Sequence, residues 1–388
     1  MKHSGVENGA TGKPRYGRER PEADANGSER IKSLAVWIKN EDSSTSLGMT
    51  KKQKAYARAG VDVDLGNKLK RGIQSLVSQT HGPQVLGKIG GFGGLFRGNF
   101  AGMREPVLVA SIDSVGTKVK VAFALNKHDT VGADLVNHCV NDIAVLGARP
   151  LFVLDYIGCG KLEARVFQHL LRGLSRACRS AGCALLGGET AQMPGIYREG
   201  EYDLAGCIIG VVDRGNIIDG RKIRPGDVVL ALESNGLHTN GYSLAREILF
   251  NRMNLKVGSR LPGSTITVGK ELLRAHKNYQ PLLAKMPSGV IKGLAHITGG
   301  GLVDNLPRIL PANCDALIQT KNWRVPHIFQ ILQQNGNIDL QEMYQVFNMG
   351  IGMVAVVSER DARRAMLMLK AKRIGQIARG NGRVRLKV

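Results

Sequence analysis

Asp113-Ser-Val-Gly-Thr-Lys118 gathers a carboxylate, a tight turn, a hydroxyl and an ammonium within six residues. It follows residues 106–112, an apolar, β-branched run that reads as a buried strand, so Asp113 stands where that strand ends. Ligands in α/β folds collect at the carboxyl ends of strands, and a carboxylate there can hold Mg²⁺ against phosphate oxygens. Upstream, residues 87–98 carry six glycines in twelve positions, with Lys88 and Arg97 among them. Residues without Cβ let the N–H groups of Gly90, Gly91, Gly93 and Gly94 converge on an anion. With Thr117 and Lys118, the two stretches read as one polyphosphate site. It is not a Walker A loop, because no Gly-Lys pair in the chain is followed by Ser or Thr.

Further groups of the same kind recur downstream. Residues 130–147 have a helical period, with Val131, Leu135, Cys139 and Ile143 spaced by four. Asn141 and Asp142 interrupt that apolar surface and read as functional, whereas Asp134 and His138 read as a solvated face. Residues 184–186 form a short strand that runs into Gly187-Gly-Glu-Thr-Ala191, placing Glu189 as a further carboxylate in a glycine turn. His238, Thr239 and Asn240 lie in a glycine-flanked turn before an amphipathic helix at 242–250, and His296-Ile-Thr-Gly-Gly-Gly301 precedes another at 302–310. Free N–H groups at helix starts attract anions, so Gly299, Gly300 and Gly301 read as a second phosphate cradle.

Around these groups the expected elements alternate as strand, glycine turn and helix. Strands are expected at 151–157, 204–212, 228–232, 354–357 and 374–377, and helices at 68–77, 162–181 and from Ser358 through 372. The fold class is therefore α/β (α+β) in two domains, with 388 residues and 43% hydrophobic content giving material for two cores. A Gly- and charge-rich passage at 213–227 marks the boundary. The expected division is a disordered extension at 1–48, an N-terminal ATP- and metal-binding domain at 49–215, and a C-terminal domain at 216–388. Residues 1–48 are polar and near charge balance, and they match neither a secretory signal nor a mitochondrial presequence. Met49 is an alternative start.

The net charge is +22, yet basic residues are scattered and aromatics make up only 5%, which gives few platforms for stacking bases. Nucleic acid is thus an unlikely partner, and anionic small substrates account better for the charge. The basic cluster from Arg363 to Lys387 reads as a solvated face and tail. No run approaches the ~20 apolar residues of a membrane helix. Six cysteines without a Cys-x-x-Cys pair suit a reducing, cytoplasmic setting better than a disulfide framework.

Seven motifs stand here in an order that resembles the phosphoribosylformylglycinamidine cyclo-ligase (aminoimidazole ribonucleotide synthetase) family. They are Gly90-Gly-Phe-Gly-Gly94, Asp113-Ser-Val-Gly-Thr-Lys118, Val140-Asn-Asp142, Gly187-Gly-Glu-Thr-Ala191 with Met193-Pro-Gly195, Gly236-Leu-His-Thr-Asn-Gly-Tyr-Ser243, His296-Ile-Thr-Gly-Gly-Gly301 and Phe347-Asn-Met-Gly-Ile-Gly-Met353. The resemblance spans residues 49–388. It implies ATP-dependent closure of formylglycinamidine ribonucleotide to aminoimidazole ribonucleotide, with ADP and phosphate released.

On this resemblance Asp113, Asp142 and Glu189 serve Mg²⁺, with a monovalent cation as a possible addition. Thr117, Asn141, Asn348 and the Gly90–Gly94 stretch serve the nucleotide, Gly299–Gly301 a phosphate of nucleotide or substrate, and Lys118 a phosphate in catalysis together with Asp113; His238 with Asn240 faces the reacting amide, as proton carrier or as stabiliser of the transferred phosphoryl group. The family fold further implies a homodimer in which N-terminal strands close a shared barrel. Ser114, Gln192 and Cys207 depart from the usual family residues, so Gln192 is given no acid–base or metal role. Among sister families, a hydrogenase-maturation protein should end in a reactive cysteine, and this chain ends Arg-Leu-Lys-Val.

Overall fold

The computed structural model describes residues 59–87, 89 and 91–387. The extension at 1–48, Met49, Lys88 and Gly90 lie outside the described residues.

Two short helices, α1 (Val63–Gly72) and α2 (Gln74–Ser78), precede strand β1 (Pro106–Ser114). Asp62 caps α1 by accepting from Leu65 N–H. A 3₁₀ turn over Gly116–Lys118 leads through α3 (Val119–Leu125) into α4 (Asp129–Ala144), then β2 (Arg149–Cys159), α5 (Ala164–Ala181), β3 (Ala184–Gln192) and β4 (Tyr202–Asp213). The strands form a sheet in the order β1-β4-β2-β3, with β2 and β3 parallel and the other pairs antiparallel.

Helices α4 and α5 cover one face, and Leu135, Val136, Cys139, Val140, Ile143 and Leu174 are fully buried there. The two helices touch backbone to backbone. A Cβ at Gly132 would lie 2.3 Å from Leu170 O, and one at Gly173 would lie 2.0 Å from Asp129 O. Gly182 ends α5 in the left-handed region, with Cys183 N–H returning to Cys178 O. The opposite face of the sheet leaves Leu108 63% and Ile112 72% exposed.

The second half begins with β5 (Val228–Glu233), followed by α6 (Tyr242–Arg246), α7 (Val268–Leu272), α8 (Gln280–Leu283), β6 (Ile291–His296) and α9 (Gly301–Asn305). Next come β7 (Cys314–Gln319), α10 (His327–Gly336), α11 (Leu340–Val346), β8 (Ile351–Val357), α12 (Glu359–Leu369), β9 (Lys372–Arg379) and β10 (Val384–Lys387). Their sheet runs β10-β7-β9-β5-β8-β6, antiparallel except for β10 and β7. Every residue of β8 is buried, as expected for an apolar strand covered on both faces. Arg363, Arg364, Lys370, Lys372 and Arg373 are exposed on and after α12, and Arg373 pairs with Glu359, consistent with a solvated basic face.

All six cysteines are free. Among the described residues no helix is long and apolar enough to cross a membrane.

Candidate active site

Helix α4 positions the polar centre of the molecule. Its period groups Asp134, Asn137, His138, Asn141 and Asp142 on one polar flank, where His138 and Asp142 meet Asp113 and Ser111 of β1; Asp134 and His138, expected on a solvated face, are buried, as is Asn141. The cover is the segment 273–279 of the second half, which α4 and the preceding turn hold largely by main-chain atoms. Asp134 accepts from His276 N–H at 2.6 Å, and Asn137 donates to His276 O at 2.7 Å. Asn141 donates to Lys277 O and accepts from Tyr279 N–H, at 2.8 and 2.9 Å. Both ends of the Asn141 amide are engaged in this way, so it clamps the segment to α4.

Lys118 joins the same clamp. It is fully buried, with Nζ 2.8 Å from Asp134 Oδ2 and donating to His238 O and Arg274 O at 2.9 and 2.7 Å. Three acceptors thus surround the three ammonium hydrogens in this structure. Burial presses the Lys118 ammonium down and the Asp134 carboxyl up, and their mutual attraction opposes both shifts. Asn348 is also buried, donating to Gly236 O and accepting from Ser234 Oγ and Gly350 N–H.

Beside this clamp lies a network of imidazoles and carboxylates. His138 Nε2 sits 2.9 Å from Asp113 Oδ2 and 3.6 Å from Asp142 Oδ2, while its Nδ1 is 2.8 Å from Thr239 Oγ1. His296 Nδ1 is 2.8 Å from Asp142 Oδ1, and its Nε2 is 3.0 Å from His276 Nε2. His276 Nδ1 closes the ring on Thr239 Oγ1 at 3.2 Å.

Electrostatics separates the rings. Burial presses His138 down, but the hydrogen bond to Asp113 and the nearby carboxylates outweigh it and hold its pKa above the usual value. The Asp113 carboxyl is pushed up by burial and, more strongly, pulled down by His138 and the Ser114 N–H. Burial dominates for His296, His276 and His238, which are all held low, with the neighbouring cations adding to the effect. The carboxylates thus favour the charged form of His138, while burial favours the neutral form of the other three rings.

Asp113, His138, Asp142 and His296 face a cleft of about 580 Å³, whose wall also includes Ser111, Thr298, Asn305 and Arg308. That volume lies within the roughly 300–1,000 Å³ of small-molecule sites. A second cavity of about 370 Å³, between the end of α4 and residues 280–294, brings together no set of titratable groups.

Other expected residues fall elsewhere. His238 is 2% exposed at φ +62°, stacked on His276 with ring centroids 4.0 Å apart, and it is not part of the cleft wall. Asn240 lies against Gly299, where an added Cβ would come 3.3 Å from its Oδ1. Gly300 and Gly301 have positive φ, and a Cβ on Gly301 would collide with Tyr344 O at 1.9 Å. Asn305 ties that loop by donating to Gly299 O and Gly301 O. Thr117 Oγ1 bonds Ser243 Oγ at 3.0 Å.

Glu189 is exposed on β3 and accepts from its own neighbour, Thr190 N–H. Register places it level with Tyr156, Ala205 and Ser114, so about 14 Å of sheet separates it from the Asp113 strand. The described part of the glycine loop is on that same far edge, where a Cβ on Gly94 would meet Leu186 Cγ at 2.4 Å and Phe96 packs on Phe152. Gly91 and Gly93 are exposed beside it. Among the described residues, then, neither Glu189 nor the glycine loop joins Asp113 and Asp142 within one chain.

Comparison with known proteins places this geometry in a family. The profile described as AIR synthase related protein, N-terminal domain, matches residues 101–212, and that of the C-terminal domain matches residues 224–387. The chain belongs to the AIR synthase family. Within that family it is 51% identical over 334 residues to the phosphoribosylformylglycinamidine cyclo-ligase of Syntrophotalea carbinolica, covering 84% of this chain and 95% of that one. It is 50% identical over 338 residues to the enzyme of the same name from Syntrophus aciditrophicus, covering 86% and 97%.

Solved structures show the AIR synthase fold at lower identity. A hydrogenase maturation protein, HypE, in complex with ATP aligns with a TM-score of 0.58 at 19% identity over 87% of this chain and 92% of that one. The thiamine-monophosphate kinase of Stenotrophomonas maltophilia aligns with a TM-score of 0.60 at 16% identity over 84% and 96%.

His138, Thr239, Asp134, His276 and His296 were not singled out from the sequence as site residues. His296 stood at the head of its glycine motif and was legible there. Nothing in the text around His276 marks it.

Proposed function

We propose that this chain is a phosphoribosylformylglycinamidine cyclo-ligase, closing formylglycinamidine ribonucleotide to aminoimidazole ribonucleotide at the expense of ATP. The observation that carries this reading is identity of 50–51% along nearly the whole length of cyclo-ligases, through the elements that build the cleft. The formamide oxygen is a poor leaving group. Transfer of the γ-phosphoryl group to it gives an iminophosphate, whose carbon the amidine nitrogen attacks. Phosphate then leaves with that oxygen as the ring closes. Such chemistry depends chiefly on positioning and charge stabilisation.

Asp113 and Asp142 present partly exposed carboxylates to the cleft, a donor set that fits Mg²⁺ beside phosphate oxygens. Bound there, Mg²⁺ would neutralise charge on the transferred group. Thr298, Asn240 and the loop through Gly299 supply polar groups and open backbone nearby, while Thr239, His276 and His238 support the wall. The boundary between the halves falls at 215/216, in the connection from β4 to β5. The apolar face around Leu108 and Ile112 pairs with that of a second copy, giving a homodimer with a shared barrel of strands. Six free cysteines suit a cytoplasmic enzyme.

The test is ADP release with Mg-ATP, with and without formylglycinamidine ribonucleotide, while product imidazole is followed separately. Equal ADP and imidazole, dependent on that substrate, is the expected result. ADP without imidazole would move the chain to a sister activity of the same fold.

A further inference from the structure

The wall of the cleft is electrically lopsided. Asp113 and Asp142 are given to Mg²⁺ above, and any charge on His138 is met by those same two carboxylates. Asp219, also in the wall, is paired with Arg221, whose Nε lies 2.6 Å from its Oδ2. Among the described residues Arg308 is the only lysine or arginine that lines the cleft. It has no carboxylate partner there. Its guanidinium donates from Nη1 to Asn305 Oδ1 at 3.3 Å, leaving the rest of its N–H fork for a ligand.

The base of that side chain is fixed, while its tip is held only by this one long bond. Arg308 lies in a 3₁₀ turn, Leu306–Ile309, whose Leu306 is fully buried. The turn presses on the connection between the halves, since a Cβ on Gly220 would lie 2.0 Å from Ile309 O. Asn305, 4% exposed, donates to Gly299 O and Gly301 O at 3.0 and 2.8 Å. Its Oδ1 receives a second long bond, from Thr298 Oγ1 at 3.4 Å. Two donors around one acceptor stand within roughly 7 Å of each other, close enough to meet on two oxygens of one tetrahedral anion.

We propose that Arg308, with Thr298 beside it, binds the phosphate monoester of a ribose 5-phosphate group and so orients the substrate in the cleft. This rests on the cyclo-ligase reading and adds to it a residue that no part of that reading uses. The source of the phosphate follows from charge. Phosphates of ATP arrive with Mg²⁺ and can lie against Asp113 and Asp142 through the ion. A sugar phosphate monoester carries about −1.5 to −2 charge at pH 7 and brings no metal, so beside those carboxylates it needs a permanent cation of the protein. A guanidinium meets such oxygens with paired N–H bonds, and no other group in the described wall offers both that geometry and that charge.

The experiment crosses Arg308→Met with removal of the phosphate from the substrate, in the full chain at saturating Mg-ATP. For formylglycinamidine ribonucleotide, kcat/KM should fall about 10- to 100-fold in the variant, chiefly through KM, whereas for the dephosphorylated ribonucleoside it should be equal in the two proteins. Arg308→Lys, which keeps the charge but not the fork, should fall between them. Arg308 is exposed, so neither change disturbs the core. A second measurement needs no turnover: ³¹P line broadening of ribose 5-phosphate, with chelator present, should saturate with the parent and be absent with Arg308→Met. Affinity for Mg-ATP by calorimetry should change less than twofold. Equal losses on ribonucleotide and ribonucleoside would overturn the subsite, as would a tenfold fall in Mg-ATP affinity with ribose 5-phosphate binding intact. A parent that cyclises, with an Arg308→Met variant that keeps its KM, refutes this subsite alone. A parent that never cyclises, yet binds ribose 5-phosphate through Arg308, refutes the proposed function alone.

Discussion

Lys118→Met deletes an ammonium while keeping an apolar stem of similar length, at a position with no exposure to solvent. It strands the Asp134 carboxylate, which keeps only the His276 N–H at 2.6 Å, and it removes the donor that meets His238 O and Arg274 O. Breaking a buried ion pair from one side costs about 3–5 kcal/mol. With a urea m value of about 3 kcal/mol/M, the unfolding midpoint should fall by about 1–1.7 M. Fluorescence of buried Trp323 follows the transition. Adding Asp134→Asn, which removes the stranded charge and keeps an acceptor for His276 N–H, should restore about half of the loss. The folded Lys118→Met protein should bind ATP with little change in affinity by calorimetry. An unchanged midpoint together with lost ATP binding would mean that Lys118 reaches phosphate after all, and the buried-cage reasoning would fail.

Gly173→Ala drives a Cβ to 2.0 Å from Asp129 O and should cost about 1–3 kcal/mol by prising α4 from α5, whereas Gly66→Ala on open α1 should gain up to about 1 kcal/mol. Thermal melts of both distinguish contact from helix propensity. Asp315 accepts from Asn381 and Arg383 N–H and pairs with Arg385, which hold its carboxyl at about 2. A depressed carboxyl stabilises the fold above its unfolded pKa and loses that effect as pH falls through the folded one. Asp315→Asn should therefore destabilise the fold at pH 5–7 and differ progressively less from the parent between pH 4 and 2, as read by urea midpoints at each pH. Ile112→Lys places a charge on the exposed apolar face of the first sheet and should convert a dimer to a 41.9 kDa monomer by light scattering.

What was legible in the sequence tracks how local the signal is. The apolar runs that became β1, β2, β4, β5 and β8, and the four-residue spacing of α4, depend on neighbours along the chain. They end within a few residues of where pattern alone puts them. β3 runs on through Gly187–Gln192 because it pairs with β2, and its glycines concealed that pairing. Gly188 is required there, since a Cβ would sit 2.2 Å from Asp155 O. β7 was hidden by Asp315, a buried carboxylate that breaks its apolar run.

For the site, periodicity grouped Asp134, His138 and Asn141 correctly on one side of α4 but could not say what covers them. The cover arrives 136 to 142 residues later in the chain and reads as an ordinary polar loop. The glycine loop and Glu189 share composition with a phosphate site, yet strand order sends them to the opposite edge of the sheet from Asp113.

The grip of α4 and Lys118 on segment 273–279 is directed at Arg274 O, His276 N and O, Lys277 O and Tyr279 N, all atoms that every residue but proline possesses. A clasp that reads only backbone is indifferent to what the loop's side chains spell. Substitution at positions 274, 275, 277 and 278 therefore leaves the bonds from α4 and Lys118 in place, and removes only the loop's own side-chain ties, such as Arg274 to Glu271 and Lys277 to Glu233 O. The seat of this loop is thus inherited with the helix and turn of the first half and not with the loop itself.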